Sequence, residues 1–309
     1  MDKIIYKIAR SIRGNSHVEK RMPNQDSIIM KEYGNHTMVA VADGHGSEEC
    51  YRSHTGSRFA VEEFSRIMEK VPFKVAEVSV FLQDLPAEIV TSWRKRVEED
   101  LETNPFSEKE ITTATGANPY LAYGSTLLGC CIGREYRLFI QIGDGDMFGL
   151  FPDGKTQRLV PDDPRCSGDE STSLCAPLAF EDFRCVLLDS SMDRPEVIIL
   201  ATDGLAKSYA NDEDLFQWTT DIKALIRKKN QSSIDENLAL WLEEISTASS
   251  RDDISMAIIC LEKNNALPTP EMVIPAKKPE EKSGRSFFRR LLPKRITNHS
   301  IMNPNHQQS

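Results

Sequence analysis

No stretch of this 309-residue chain approaches the roughly 18–20 consecutive apolar residues of a membrane-spanning helix. The opening MDKIIYKIARSIRGNSH holds only a short apolar stretch broken by Lys3, Lys7 and Arg10. It lacks the apolar core and small-residue cleavage site of a secretory signal. Cysteines number seven, an odd count, and none are spaced C-x-x-C. That pattern suggests neither a disulfide framework nor a thiolate zinc site, and is read as reduced, mostly buried thiols of a cytoplasmic protein. No repeat of 20–50 residues is present. A net positive charge is also missing from the body of the chain. The whole carries −9, but residues 264–309 hold eight Lys/Arg against three Glu, a net of +5, which leaves −14 on residues 1–263. An acidic body of that size argues against nucleic-acid binding and suits a site that holds cations.

Apolar runs bounded by turn signals are abundant and predict strands. These are HTMVAVAD (36–43), STLLGCCIG (125–133), YRLFIQIGD (136–144), DMFGLF (146–151), RCVLLD (184–189), EVIILATD (196–203) and ISMAIICLE (254–262). The spacing of YRLFIQIGD, DMFGLF and KTQRLV predicts an antiparallel meander turning at Asp153-Gly154. Helical periodicity covers residues 47–70, 85–102 and 233–247, the last with Ile234, Leu238, Trp241, Leu242 and Ile245 on one stripe. Helices do not alternate strictly with strands, so a doubly wound parallel sheet is disfavoured and an antiparallel, layered α/β architecture is expected. Composition shifts after Glu262 to Pro and charge. The expected division is a folded domain over 1–263 and a disordered basic tail over 264–309. Within that tail RSFFRRLLPKR (285–295) reads either as a solvated segment or as an anchor to a membrane surface or partner.

The most informative feature is where the aspartates fall. VAVADG ends at Asp43, IQIGDGD reaches Asp144, and IILATDG ends at Asp203. Asp252 and Asp253 precede the last apolar strand, and Asp26 in RMPNQDSIIM precedes another apolar stretch. One aspartate at a strand end is a turn; five such places suggest carboxylates converging on one edge of the core. Like charges brought together repel and raise one another's pKa, and divalent cations relieve that conflict. Oxygen donors without a His or Cys cluster point to Mg²⁺ or Mn²⁺. The glycine after Asp43 allows a backbone carbonyl to approach an ion closely.

On these residues the chain resembles the metal-dependent Ser/Thr protein phosphatases, the PPM or type 2C family, particularly the compact bacterial branch. The matching pieces run in family order: RMPNQD (21–26), VADGHG (41–46), GST (124–126), GDG (143–145), ATDGL (201–205) and SRDDIS (250–255). The resemblance implies a central antiparallel β-sandwich flanked by helices on both sides. It implies Asp43 bridging two Mn²⁺ or Mg²⁺ ions, with Gly44 supplying a carbonyl to one and Asp203 and Asp252 completing the other. Arg21 matches the phosphate-binding arginine and His45 the general acid. Asp26 matches a position acting through metal-bound water, and Asp144 one used for a third ion in some members.

The implied reaction is hydrolysis of phosphoserine or phosphothreonine in a phosphoprotein, a Ser/Thr kinase or its target, by a metal-bridging hydroxide without a phosphoenzyme. Departures are Gln25 where Glu is common, Lys207 where an acid is frequent, and Asp253 in place of Asn. The stretch 161–175 stands where members carry a variable flap. Gln25 and Lys207 support the alternative of a catalytically weak phosphatase-fold module that binds a kinase or phosphoprotein. A small phosphorylated metabolite is a third substrate reading.

Overall fold

Strands that are apolar on both faces must be covered on both sides, and this chain meets that demand by stacking two sheets between helices. The computed structural model describes residues 2–108, 110, 118–166, 171–189, 191–228 and 231–263. The first sheet is formed by β1 (Asp2–Ile12), β10 (Ile254–Lys263), β9 (Val197–Ala201), β6 (Asp146–Leu150) and β7 (Thr156–Arg158), in that order. The second runs β2 (Ser27–Tyr33), β3 (His36–Ala42), β4 (Leu127–Gly133), β5 (Tyr136–Ile142) and β8 (Arg184–Asp189). Every pairing in both is antiparallel.

Period-2 alternation sorts the side chains into three apolar layers. Val39, Val41, Leu128, Phe139, Ile198, Leu200 and Ile259 meet between the sheets. Their neighbours Met38, Ala40, Leu138 and Ile140 face outward, onto α2 (Ser53–Met68) and α3 (Val75–Thr103). On the opposite side, Ile199, Met256 and Ile258 pack against α5 (Asp212–Arg227) and α6 (Gln231–Ala248) through Trp218, Trp241 and Leu242. The result is the expected helix–sheet–sheet–helix stack.

Two short helices lie at one end of the stack: α1 (Asn15–Lys20) and α4 (Asp203–Ala206). Three elements depart from the sequence reading. β1 spans the opening segment, where Lys7 and Arg10 fall between the buried Tyr6, Ile8 and Ile12; it zips to β10 over its whole length. α5 starts at Asn211, whose side chain accepts the Asp214 N–H at 2.9 Å, with Asp212, Glu213 and Asp214 in the first turn where the helix dipole favours them. The predicted meander is corrected. The hairpin at Asp153-Gly154 joins β6 to β7, but β5 belongs to the other sheet and β6 pairs with β9. Gly143-Asp144-Gly145 is therefore a crossing between sheets, with Gly143 at φ +99°, a conformation that favours glycine.

The seven cysteines are unpaired. No helix among the described residues is long and apolar enough to cross a membrane. The segment 264–309, with RSFFRRLLPKR, lies outside the described residues.

Candidate active site

Strand register brings the aspartates to one end. Ser27 pairs Ala42, Leu127 pairs Ile142, Asp146 pairs Ala201 and Ile12 pairs Ile254. The start of β2, the end of β3, the β5–β6 crossing, the end of β9 and the approach to β10 thus share one rim. A cleft of about 570 Å³ opens there, lined by Asp43, Asp144, Asp203 and Asp252, together with Gln25, Gly44, His45 and Lys207.

Asp43 is fixed through its backbone: its N–H donates to Thr126 Oγ1 (3.0 Å) and its carbonyl accepts the Thr126 N–H (2.9 Å). Gly44 follows as a lone bridge to Ser125. A Cβ on Gly44 would stand 2.7 Å from the Ser53 carbonyl carbon and 2.8 Å from the Gln25 carbonyl oxygen, so no other residue fits without moving the main chain. Asp203 opens α4 directly after β9. Asp252 is brought in by the turn before β10, where its carbonyl accepts Ser246 Oγ (2.8 Å).

Asp26 lies behind the lining rather than in it, buried, with Oδ2 accepting Thr202 Oγ1 (2.8 Å) from the other sheet. Ser171 Oγ donates to Asp144 Oδ1 (3.0 Å), which brings the end of the 161–175 stretch to the cleft; residues 167–170 lie outside the described residues.

The electrostatics are those of crowded carboxylates. Burial, then the charges of Asp26, Asp203 and Asp252, push Asp43 well above the usual carboxylate range. Burial and the charge of Asp253 do the same to Asp26, and burial with Asp203 raises Asp144. One oxygen each of Asp26 and Asp203 is buried with no hydrogen-bond partner. Such orphaned acceptors are costly unless a ligand completes them. The nearest counter-charge is Lys207, whose Nζ lies 2.5 Å from Asp203 Oδ2 and 4.0 Å from Asp252 Oδ2.

Among the described residues no three His, Cys, Asp or Glu side chains form a ready-made ion cage. The donor set nonetheless suits hard divalent ions: it is all oxygen, under-compensated and carries orphaned acceptors. Lys207 occupies Oδ2 of Asp203 and leaves Oδ1 without a partner, so an ion bound there would share that carboxylate with an ammonium.

Gln25, Lys207 and His45 all line the cleft. Gln25 Nε2 donates to Ser53 Oγ (2.7 Å), and its carbonyl accepts the Gly44 N–H (3.1 Å). Burial lowers the pKa of His45, with Asp144 acting in the opposite direction. Arg21 is not brought to the lining: it is exposed, in the left-handed conformation (φ 56°) that ends α1.

Two residues take places in the site that the sequence reading did not give them. Asp253 is buried and turned away from Asp252. Its Oδ1 accepts the Gly14 N–H (2.6 Å) and its Oδ2 the Gln25 N–H (2.6 Å). His17 lines the cleft with Nδ1 2.9 Å from Asp253 Oδ2, and this contact raises its pKa against the opposing effect of burial. His17 lies four residues before Arg21, and only its place on α1 beside Asp253 marks it out.

The four-layer sandwich is also the fold of known serine/threonine phosphatases. The family model described as protein phosphatase 2C matches residues 13–243. The chain belongs to that family and is a phosphoprotein phosphatase. It is similar in fold to the serine/threonine phosphatase Stp1 from Staphylococcus aureus (11% identity, TM-score 0.57, covering 84% of this chain and 96% of that one). It is similarly related to the Mycobacterium tuberculosis serine/threonine phosphatase PstP/Ppp (16%, TM-score 0.51, 84% and 100%). The catalytic domain of PstP in complex with two manganese ions matches at 17% identity and TM-score 0.53, over 84% of this chain and 99% of that chain. No curated protein sequence matches the chain.

Proposed function

We propose that the protein hydrolyses phosphoserine and phosphothreonine in proteins at a centre of two Mn²⁺ or Mg²⁺ ions held by Asp43, Gly44, Asp203 and Asp252. The observation that carries this reading is the single cleft in which strand ends from both sheets present Asp43, Asp144, Asp203 and Asp252 with one lysine to balance them. When bound, the ion pair supplies activation of water and a clamp on the phosphoryl oxygens.

The protein's own groups do the rest. Asp26, anchored by Thr202, holds solvent at the floor of the site. Asp144, oriented by Ser171, offers a further carboxylate for a third ion. His45 delivers a proton to the departing seryl or threonyl oxygen; its lowered pKa is countered by the charge of an incoming phosphate. Arg21 is the sequence-based candidate for a phosphate contact. The cysteines have no part: Cys50 and Cys175 line the cleft, but burial raises both thiols. The proposed setting is cytoplasmic, with the folded domain over 1–263 carrying the whole activity and 264–309 a separate tail.

The test is release of phosphate from a phosphothreonine peptide with Mn²⁺, with EDTA, and in Asp203→Ala. Turnover should vanish in the last two; turnover that survives both rejects the site. A protein that binds the peptide and Mn²⁺ yet turns over no faster than background would support the binding-module alternative.

A further inference from the structure

Of the basic side chains lining the cleft, Lys207 is committed to Asp203, and the His45 ring lies against Gly124, where an added Cβ would stand 2.7 Å from its Cδ2. The third is His17, and its surroundings are unlike those of an incidental core histidine. Asp253 is held by two backbone N–H groups and presents Oδ2 to Nδ1 of the ring. A carboxylate fixed in this way sets the orientation of an imidazole through one nitrogen and leaves the other for a ligand. His17 Nδ1 is buried, with Asp253 Oδ2 as its ion-pair partner at 2.9 Å rather than an aligned hydrogen bond, whereas Nε2 makes no protein hydrogen bond and keeps some exposure, and His17 lines the cleft.

The helix that carries it is fastened to the segment bearing Asp252. The Ser16 N–H donates to the Arg251 carbonyl (2.9 Å), and Arg251 pairs with Glu19 (2.5 Å). Gly14 approaches so closely that a Cβ there would lie 2.2 Å from the Asp252 carbonyl carbon. The position of His17 relative to Asp252 is therefore set by main chain, while Arg21, at the far end of the same short helix, stays exposed.

We infer that His17 Nε2, oriented by Asp253, is a direct contact to the substrate's phosphoryl group, the part of the site that the sequence assigned to Arg21. This rests on the phosphatase reading above and adds to it a specific residue on α1. A ring whose Nδ1 faces Asp253 donates from Nε2 as the imidazolium, and anion contacts by an imidazolium N–H are charge-assisted and strong enough to show in affinity.

The two amide replacements of histidine separate this role from a structural one. Asn keeps a donor near the position of Nδ1, toward Asp253, and deletes Nε2; Gln places a donor near Nε2 and gives up Nδ1. Inorganic phosphate is titrated calorimetrically into the Mn²⁺-loaded protein, and its inhibition of p-nitrophenyl phosphate hydrolysis is measured in parallel. His17→Asn should weaken phosphate by about tenfold or more with unchanged thermal stability and Mn²⁺ affinity, whereas His17→Gln should retain more of the phosphate affinity.

The reverse order, with Gln impaired in stability and Asn normal in phosphate binding, would make His17 a purely structural partner of Asp253 and overturn the inference. So would a loss of phosphate binding in Arg21→Ala with none in His17→Asn. Phosphate binding that depends on His17 in a protein without turnover would instead sink the enzymatic reading and leave this contact standing.

Discussion

The ammonium of Lys207 lies 2.5 Å from Asp203 Oδ2, one turn of chain away, and 4.0 Å from Asp252 Oδ2. It stands between the two carboxylates proposed to hold one metal ion. Burial would lower the pKa of this lysine, but the charges of Asp203, Asp252 and Asp43 outweigh that and raise it. The side chain stays cationic and is placed to compete with an ion for Asp203 Oδ2 and Asp252 Oδ2. Lys207→Met should tighten Mn²⁺ binding by about tenfold, the Coulomb gain being discounted for a side chain 48% exposed. The metal-free protein should melt lower, because the carboxylates lose their counter-charge. Calorimetric Mn²⁺ titration and thermal melts in EDTA check both, and equal affinities would show that the lysine does not compete.

Asp43 makes the opposite prediction. Its raised pKa means that the ionised form destabilises the fold. The associated stability is present below the unfolded pKa and is lost as pH rises through the folded one. Asp43→Asn removes the ionisation at constant shape. Without metal at neutral pH it should melt at or above the wild type, by a few degrees for about 1 kcal/mol. It should also lose Mn²⁺-dependent turnover by a factor of about 10³. A lower metal-free melting temperature would contradict the crowding described here.

His45 as a proton donor has a leaving-group signature. p-Nitrophenolate departs without protonation, whereas a seryl or threonyl alkoxide does not. His45→Gln should reduce turnover of a phosphothreonine peptide by about 10²-fold and that of p-nitrophenyl phosphate by far less. Equal losses on both substrates would assign the ring to another role.

Away from the cleft, Asp146 is buried beside Arg158, 2.9 Å from its Nε, yet burial outweighs that cation and raises its pKa to about 6. Its contribution to stability is complete below the unfolded value near 3.8 and declines as pH rises through about 6. Asp146→Asn should therefore gain on the order of 2 kcal/mol relative to wild type between pH 4.5 and 7.5, read from urea midpoints at the two values. A constant difference across that range would exclude the shift.

Gly14→Ala tests the close packing of α1 on the approach to β10. A methyl group 2.2 Å from the Asp252 carbonyl carbon must push main chain aside, so both thermal stability and Mn²⁺ affinity should fall together. Loss of stability alone would separate α1 from the proposed metal site.

Much of this was legible in one dimension. Seven of the ten strands stand out as apolar runs because both faces of a sandwiched sheet are buried, and such strands need no alternation to be seen. β1 escaped because it lies at a sheet edge, where Lys3, Lys7 and Arg10 interrupt the apolar pattern. α5 escaped because acids crowd its first turn; they serve the helix dipole and hide the stripe of Leu215, Trp218 and Ile222. The aspartates at strand ends were visible because a carboxylate closing an apolar run is locally anomalous.

Local anomaly is what a sequence can carry, and it determined here the layered antiparallel fold, the acidic rim and the family. Partnership between residues far apart in the chain is what it could not carry. Only the folded chain set Lys207 on Asp203, turned Asp253 away from Asp252 toward His17, and left Arg21 exposed while His17 met the cleft. Each of those outcomes depends on side-chain direction and on which strand ends share a rim, and both are fixed by sheet register rather than by spacing along the chain.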